Sequence, residues 1–192
     1  MRSIDICAKA KAIAASKNLY VRGGYGLKLT QANKLRFTGT DVFNNKRASI
    51  IFSADEDTVA YDEYGLLSAI SGYNCRNLGE VMNLCEDISK DFSTIIPGEI
   101  VFMKDRIGVF VGNGHVVTCS NVGVGYTIVD GWVSHGKLPD VEYVVKEETK
   151  DAEREVERDV QSEEPSEVST EEPAKQETPE VETRRDTFRR RH

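Results

Sequence analysis

The sequence predicts an α+β domain followed by a charged, disordered tail. Three observations carry this. Apolar residues recur at helical spacing in the first half, up to Pro97-Gly98. Beyond that pair the pattern alternates with period two, and Gly112-Asn113-Gly114 marks a tight hairpin. From about Glu147 the chain turns to Glu, Ser, Thr, Pro, Gln and Val, too polar to bury a core. Helices first and a meander of strands afterwards make an α+β arrangement of N-terminal helices on an antiparallel sheet of about five strands.

The elements follow in order. A helix is predicted over 3–16, with Ser3 as its cap, Asp5 in the first turn, and Ile6, Ala10, Ile13 and Ala14 on one face. Tyr20-Val21-Arg22-Gly23-Gly24-Tyr25-Gly26 is a shaped loop, because its glycines permit positive φ or close backbone approach. It lacks the Lys-Ser/Thr of a phosphate loop, so nucleotide binding is not expected. Residues 30–60 give little period beyond a short helix near 47–54. Helices are predicted over 63–70 and 78–89, the second with Val81, Met82, Cys85 and Ile88 on one face. Strands are predicted over 100–103, 107–111, 116–119, 126–129 and 142–145.

Length and charge bound the function. The 192 residues suffice for one domain with a real core, placed at 1–145, with the tail at 146–192. Of the formal net charge of −7, most belongs to the tail, which holds 16 acidic and 10 basic residues. A nearly neutral domain has no basic footprint, which argues against general nucleic-acid binding. Pro165, Pro173 and Pro179 break the tail, although 147–160 has acid–base pairs at helical spacing. Its end turns basic, and Arg184, Arg185, Arg189, Arg190 and Arg191 suit docking on an acidic surface. No apolar run is long enough to span a membrane, and the N-terminus lacks the pattern of a secretory signal. Cys7, Cys75, Cys85 and Cys119 lack zinc-site spacing and are expected as reduced thiols, so neither metal nor cofactor is expected.

Several motifs, in this order, resemble a papain-like cysteine peptidase of the NlpC type over residues 8–143. Tyr20 to Gly26 resembles the family's glycine-rich loop. Ala60-Tyr61-Asp62-Glu63-Tyr64-Gly65-Leu66 resembles its nucleophile motif, and Pro97-Gly98-Glu99-Ile100-Val101-Phe102 its first strand. Ile107-Gly108-Val109-Phe110-Val111-Gly112-Asn113-Gly114 resembles the strand and hairpin after the catalytic His. Ser134-His135-Gly136-Lys137-Leu138-Pro139 resembles a segment of phage and prophage members from Gram-positive bacteria, where His135 has no catalytic role. The resemblance implies cleavage of peptide bonds in cell-wall stems, with a stem peptide or a protein as partner. Without a secretory signal the chain is expected to be made in the cytoplasm, with release by or carriage with a phage as the route out.

The same comparison exposes a degenerate site. Glu63 stands where the nucleophilic Cys is expected, Arg106 where the His is expected, and Thr118 where a polar residue orients that His. A carboxylate is a poor nucleophile toward an amide, and a guanidinium does not shuttle protons near neutral pH. No catalytic residue is therefore expected, and the first reading is a pseudoenzyme retained as a binding module. Two others are an active cell-wall hydrolase with an unconventional site, and a virion-associated or scaffold protein recognised through its tail. Substitute pairs are weak: His115 with Cys119 shares a strand face but lies beside the turn, Cys75 sits in a loop, and Asp62 and Glu63 point apart on a helix start. Cys85 reads as a helix core residue and Cys7 as lying on the polar side or boundary of its helix. Tyr20, Arg22, Asp62 and Tyr64 are the groove candidates. Trp132 and Tyr126 read as packing residues that could also line a groove. Glu63 and Arg106 are expected to meet as an ion pair across the old groove.

Overall fold

A computed structural model describes residues 1–144. The charged tail expected over 146–192 lies outside them. The chain runs α1 (Ser3–Ala14), β1 (Asn18–Tyr20), β2 (Tyr25–Lys28), α2 (Gln31–Thr40), α3 (Val42–Lys46), α4 (Ala48–Ser53), β3 (Val59–Tyr61), α5 (Glu63–Ser71) and α6 (Leu78–Leu84). It continues through β4 (Glu86–Ser89), a 3-10 turn (Phe92–Thr94), β5 (Ile100–Phe102), β6 (Ile107–Gly112), β7 (His115–Ser120), β8 (Gly123–Ile128) and β9 (Ser134–Lys137). Six of the strands form one antiparallel sheet in the order β4-β9-β5-β6-β7-β8. The other three form a small mixed sheet, β1-β3-β2, in which β1 runs parallel to β3. No helix among the described residues is long and apolar enough to cross a membrane.

Alternation along the central strands sorts their side chains to two faces. Val109, Val117 and Cys119 meet Ile6 and Ala10 of α1 and Leu66, Leu67 and Ile70 of α5, all buried in one core. The opposite face carries a smaller cluster of Val101, Phe110, Val116 and Trp132. Trp132 is thus a packing residue, its indole N–H donating to the Ile128 carbonyl at 3.2 Å. Helices α2 to α4 close a third cluster, Val21, Leu29, Phe37, Ile51 and Ala60, over the small sheet. The hairpin between β6 and β7 turns on Asn113 and Gly114, both at positive φ (51° and 70°), as a tight two-residue turn requires.

The structure departs from the sequence reading in four places. Ser3 does not cap α1; it lies inside the first turn, and its hydroxyl accepts from the Val144 N–H. Cys7 is buried, not on the polar side, with its thiol directed at the Phe110 carbonyl. The helix predicted to reach Ser89 stops at Leu84, and Glu86–Ser89 pairs with β9 instead. That pairing needs a small residue opposite, because a Cβ on Gly136 would fall 2.6 Å from the Ile88 side chain. Met82 and Ile88 are consequently exposed, while Cys85 is buried at the helix end. Among the described residues the last strand of the sheet is Ser134–Lys137; of the strand predicted over 142–145, Glu142 makes a single bridge to Arg2 and Val145 lies outside the described residues.

A buried polar pair explains that last choice. The His135 imidazole, on β9, hydrogen-bonds the Glu99 carboxyl through Nδ1, and both groups are buried. Its Nε2 lies 3.0 Å from the Asp91 carbonyl, and Phe92 packs against the ring. One side chain thereby anchors β9, the start of β5 and the 3-10 turn. Stranding either partner leaves a polar group in the core, a loss on the order of 3–5 kcal/mol. Glu99→Ala and His135→Ala should each lower the urea midpoint accordingly, and the double variant should cost less than their sum. Additive losses below about 1 kcal/mol each would show that the pair is not a structural anchor.

Candidate functional site

The site forms where β3 runs into α5. Asp62 is extended and caps the helix: its Oδ1 accepts from the Gly65 N–H at 2.6 Å. Its Oδ2 accepts from the Gly23 N–H at 2.8 Å, so one buried carboxyl joins the glycine-rich loop to the helix start. Burial pushes the Asp62 carboxyl above its ordinary range, and the backbone donors oppose that shift. Two glycines let the backbones of the loop and the helix come into contact. A Cβ on Gly65 would fall 1.8 Å from the Gly24 carbonyl oxygen, and one on Gly24 would crowd the backbone of Ala60 and Tyr61. Asn44, wholly buried, accepts from the Arg22 N–H and donates to its carbonyl, which fixes the loop from its other side.

Glu63 opens α5 half-buried, and the Tyr20 hydroxyl donates to its Oε2 at 3.4 Å. Burial pushes its carboxyl up; the neighbouring Asp62 charge adds to that, while Tyr20 and Arg106 pull it down. The expected ion pair with Arg106 is not formed. Arg106 stands immediately before β6, where alternation sends its side chain to the face opposite Ile107. There it lines a cleft of about 430 Å³ together with Thr118 and β8. Thr118 lies on that same face, and its hydroxyl donates to the Ile107 carbonyl at 2.7 Å. Its oxygen is thus occupied with the backbone of the neighbouring strand.

The other candidates separate. Arg22 stacks on Phe43 at 4.6 Å and approaches Asp41 at 3.8 Å, and Tyr20 meets the same phenylalanine edge-on. Tyr64, in the first turn of α5, packs half-buried against the core. Tyr126 is exposed and lies edge-on to His115. Cys119 is fully buried with its thiol toward the Tyr61 carbonyl, whereas His115 is exposed near the turn, so the two do not pair. Cys75 is buried, and its carbonyl accepts from the Tyr25 hydroxyl. Burial pushes all four thiols up, Cys85 to about 12. No cysteine among the described residues is hydrogen-bonded to a histidine.

Sequence reasoning missed two contributors. Arg47, at the start of α4, donates to the Tyr20 carbonyl at 2.8 Å and to the Asn121 carbonyl at 2.7 Å, so it ties the loop to the turn after β7. Asn18, in β1, binds both backbone groups of Val124 in β8. Neither belongs to a motif; both act across distances of many residues in sequence, and no local pattern marks them.

No family model matches the sequence, and no curated protein matches it. Among solved structures, NlpC1 from Trichomonas vaginalis aligns with a TM-score of 0.47 and 17% identity over 74% of this chain and 45% of that one. NlpC2 from the same organism aligns with a TM-score of 0.39 and 16% identity over 73% and 47%. This chain therefore spans less than half the length of either.

Two outcomes test the site's construction. Gly65→Ala should force the loop off α5 and cost on the order of 3 kcal/mol in urea denaturation, since the blocking atom is backbone. A variant as stable as the parent would mean that the loop is not seated on the helix. The second concerns Glu63. Its folded carboxyl holds a proton to higher pH than the unfolded one, whose ordinary value is 4.5. Its contribution to stability is therefore lost as pH rises through that window, and the penalty is complete at neutral pH. Glu63→Gln should be slightly more stable than the parent at pH 7, by less than about 1 kcal/mol because the group is half-exposed. The gain should vanish on acidification below about pH 4. A loss of stability at pH 7 would show that the charge is held favourably.

Proposed function

We propose that this chain is a catalytically silent NlpC-type domain, phage or prophage encoded, that serves as a binding module. The observation that carries the reading is the composition of the helix-start site. Where an amide hydrolase of this kind needs a thiolate beside an imidazole, this site holds a carboxylate engaged by Tyr20, with Arg106 and a backbone-bonded Thr118 on the sheet beyond. The scaffold around it is intact, with the capping carboxyl, the glycine contact and the hairpin strands in the order that the motifs imply. Buried thiols with raised pKa values leave no substitute nucleophile among the described residues. Retention of the scaffold without its chemistry favours binding over hydrolysis.

The purified full chain should release no stem peptides from Gram-positive cell wall in a turbidity assay followed by mass spectrometry. Iodoacetamide should leave that result unchanged. Thiol-sensitive hydrolysis mapped to Cys75 or Cys119 would overturn the reading.

A further inference from the structure

The cleft beside Arg106 has a composition that the silent-site reading does not require. Arg106 is the single charged residue lining it, half-buried, with no ion-pair partner among the described residues. The remaining walls are neutral: Asn18, Thr118, Ser120 and the backbone-rich strand β8 with Gly125, Tyr126 and Thr127. A half-buried guanidinium facing neutral walls has an open position for an anion, and its planar donors fit a carboxylate through two parallel bonds.

The strand beside it is also open. β8 is the edge of the six-stranded sheet. The Asn18 side-chain amide accepts from the Val124 N–H at 2.6 Å and donates to the Val124 carbonyl at 3.3 Å, on the side away from β7. It stands where a neighbouring strand's peptide would stand. Backbone groups alternate along an antiparallel pair, so Tyr126, two residues on, turns its N–H and C=O the same way. The next outward carbonyl, that of Ile128, is already taken by Trp132. One residue's worth of unpaired edge thus adjoins the lone cation.

We infer that this cleft binds the free α-carboxylate of an extended peptide, with the carboxylate on Arg106 and the peptide backbone paired to Tyr126 along β8. The assignment rests on the reading that this domain binds without cleaving, because it gives Arg106 a ligand where a proton shuttle would otherwise stand. Main-chain pairing supplies affinity without side-chain selectivity, and the arginine supplies the demand for a chain end.

The test uses the nitrogen-labelled full chain, with acetyl-Ala-Ala-Ala as the free acid and as its carboxamide. The free acid should shift the Tyr126 and Gly125 amide signals saturably, and the carboxamide should bind at least about tenfold more weakly. Arg106→Gln should erase the difference between the two peptides, whereas Arg106→Lys should keep a reduced one. Gly125→Leu should block both peptides at an unchanged melting temperature, since a Cβ there meets nothing within 4 Å. Equal binding of acid and carboxamide, an unaffected Arg106→Gln variant, or no saturation up to about 10 mM would each overturn the inference. Mass spectrometry of the same samples separates the two claims. A cleaved probe would overturn the silent-domain reading and leave the binding result standing, while an intact, unbound probe would overturn the inference alone.

Discussion

The geometry of the site depends on one carboxyl. Asp62 accepts from Gly65 at the start of α5 and from Gly23 in the loop, and both bonds lie inside the fold. A helix start leaves backbone N–H groups without intrahelical partners, and a buried loop has the same problem. A single two-oxygen acceptor meets both needs. It can do so because Gly24 and Gly65 let the two backbones close to contact. Everything else at the site is positioned from this junction: Tyr20 before the loop, Glu63 beside the cap and, through α5, the core that seats β6 and β7.

That junction also keeps the fold's demands apart from the residue that follows it. Asp62 carries the structural demand, so the next residue is free to change without unpinning the loop. Glu63 occupies the position at a cost that burial imposes on its charge, relieved by the Tyr20 hydroxyl. Across the sheet, Arg106 is not drawn to Glu63, because strand alternation aims it at the opposite face. The charges that looked complementary in sequence are divided between two environments. One is a helix start packed beside a tyrosine, the other an open cleft over β7 and β8.

The buried Glu99–His135 pair has a different character. It lies in the half of the same sheet away from β8, inside the edge strand β4, and links β5, β9 and the segment around Asp91. It belongs to the architecture and not to the candidate site. Its geometry accounts for a strand at Ser134–Lys137, a segment whose glycine and polar residues carry no strand pattern of their own.

The sequence by itself determined the α+β class, the helix starting at Glu63, the glycine-rich loop and the central hairpin. Each is encoded locally, in helical spacing, a capping Asp, clustered glycines and an Asn-Gly turn, so neighbouring residues suffice to read it. Its motifs also led to the expectation that Glu63, Arg106 and Thr118 stand at the positions of a thiol, an imidazole and its orienting group. Only the tertiary structure decided where those side chains go. Long-range partners set the outcome: Tyr20 for Glu63, the Ile107 carbonyl for Thr118, and the β8 cleft for Arg106. The same holds for β4, which gave up its helical pattern to pair with β9, and for the strands of the small sheet, three or four residues long and too short to show a period. Pairing energy in a sheet comes from the facing strand, and the facing strand is not written in the local sequence.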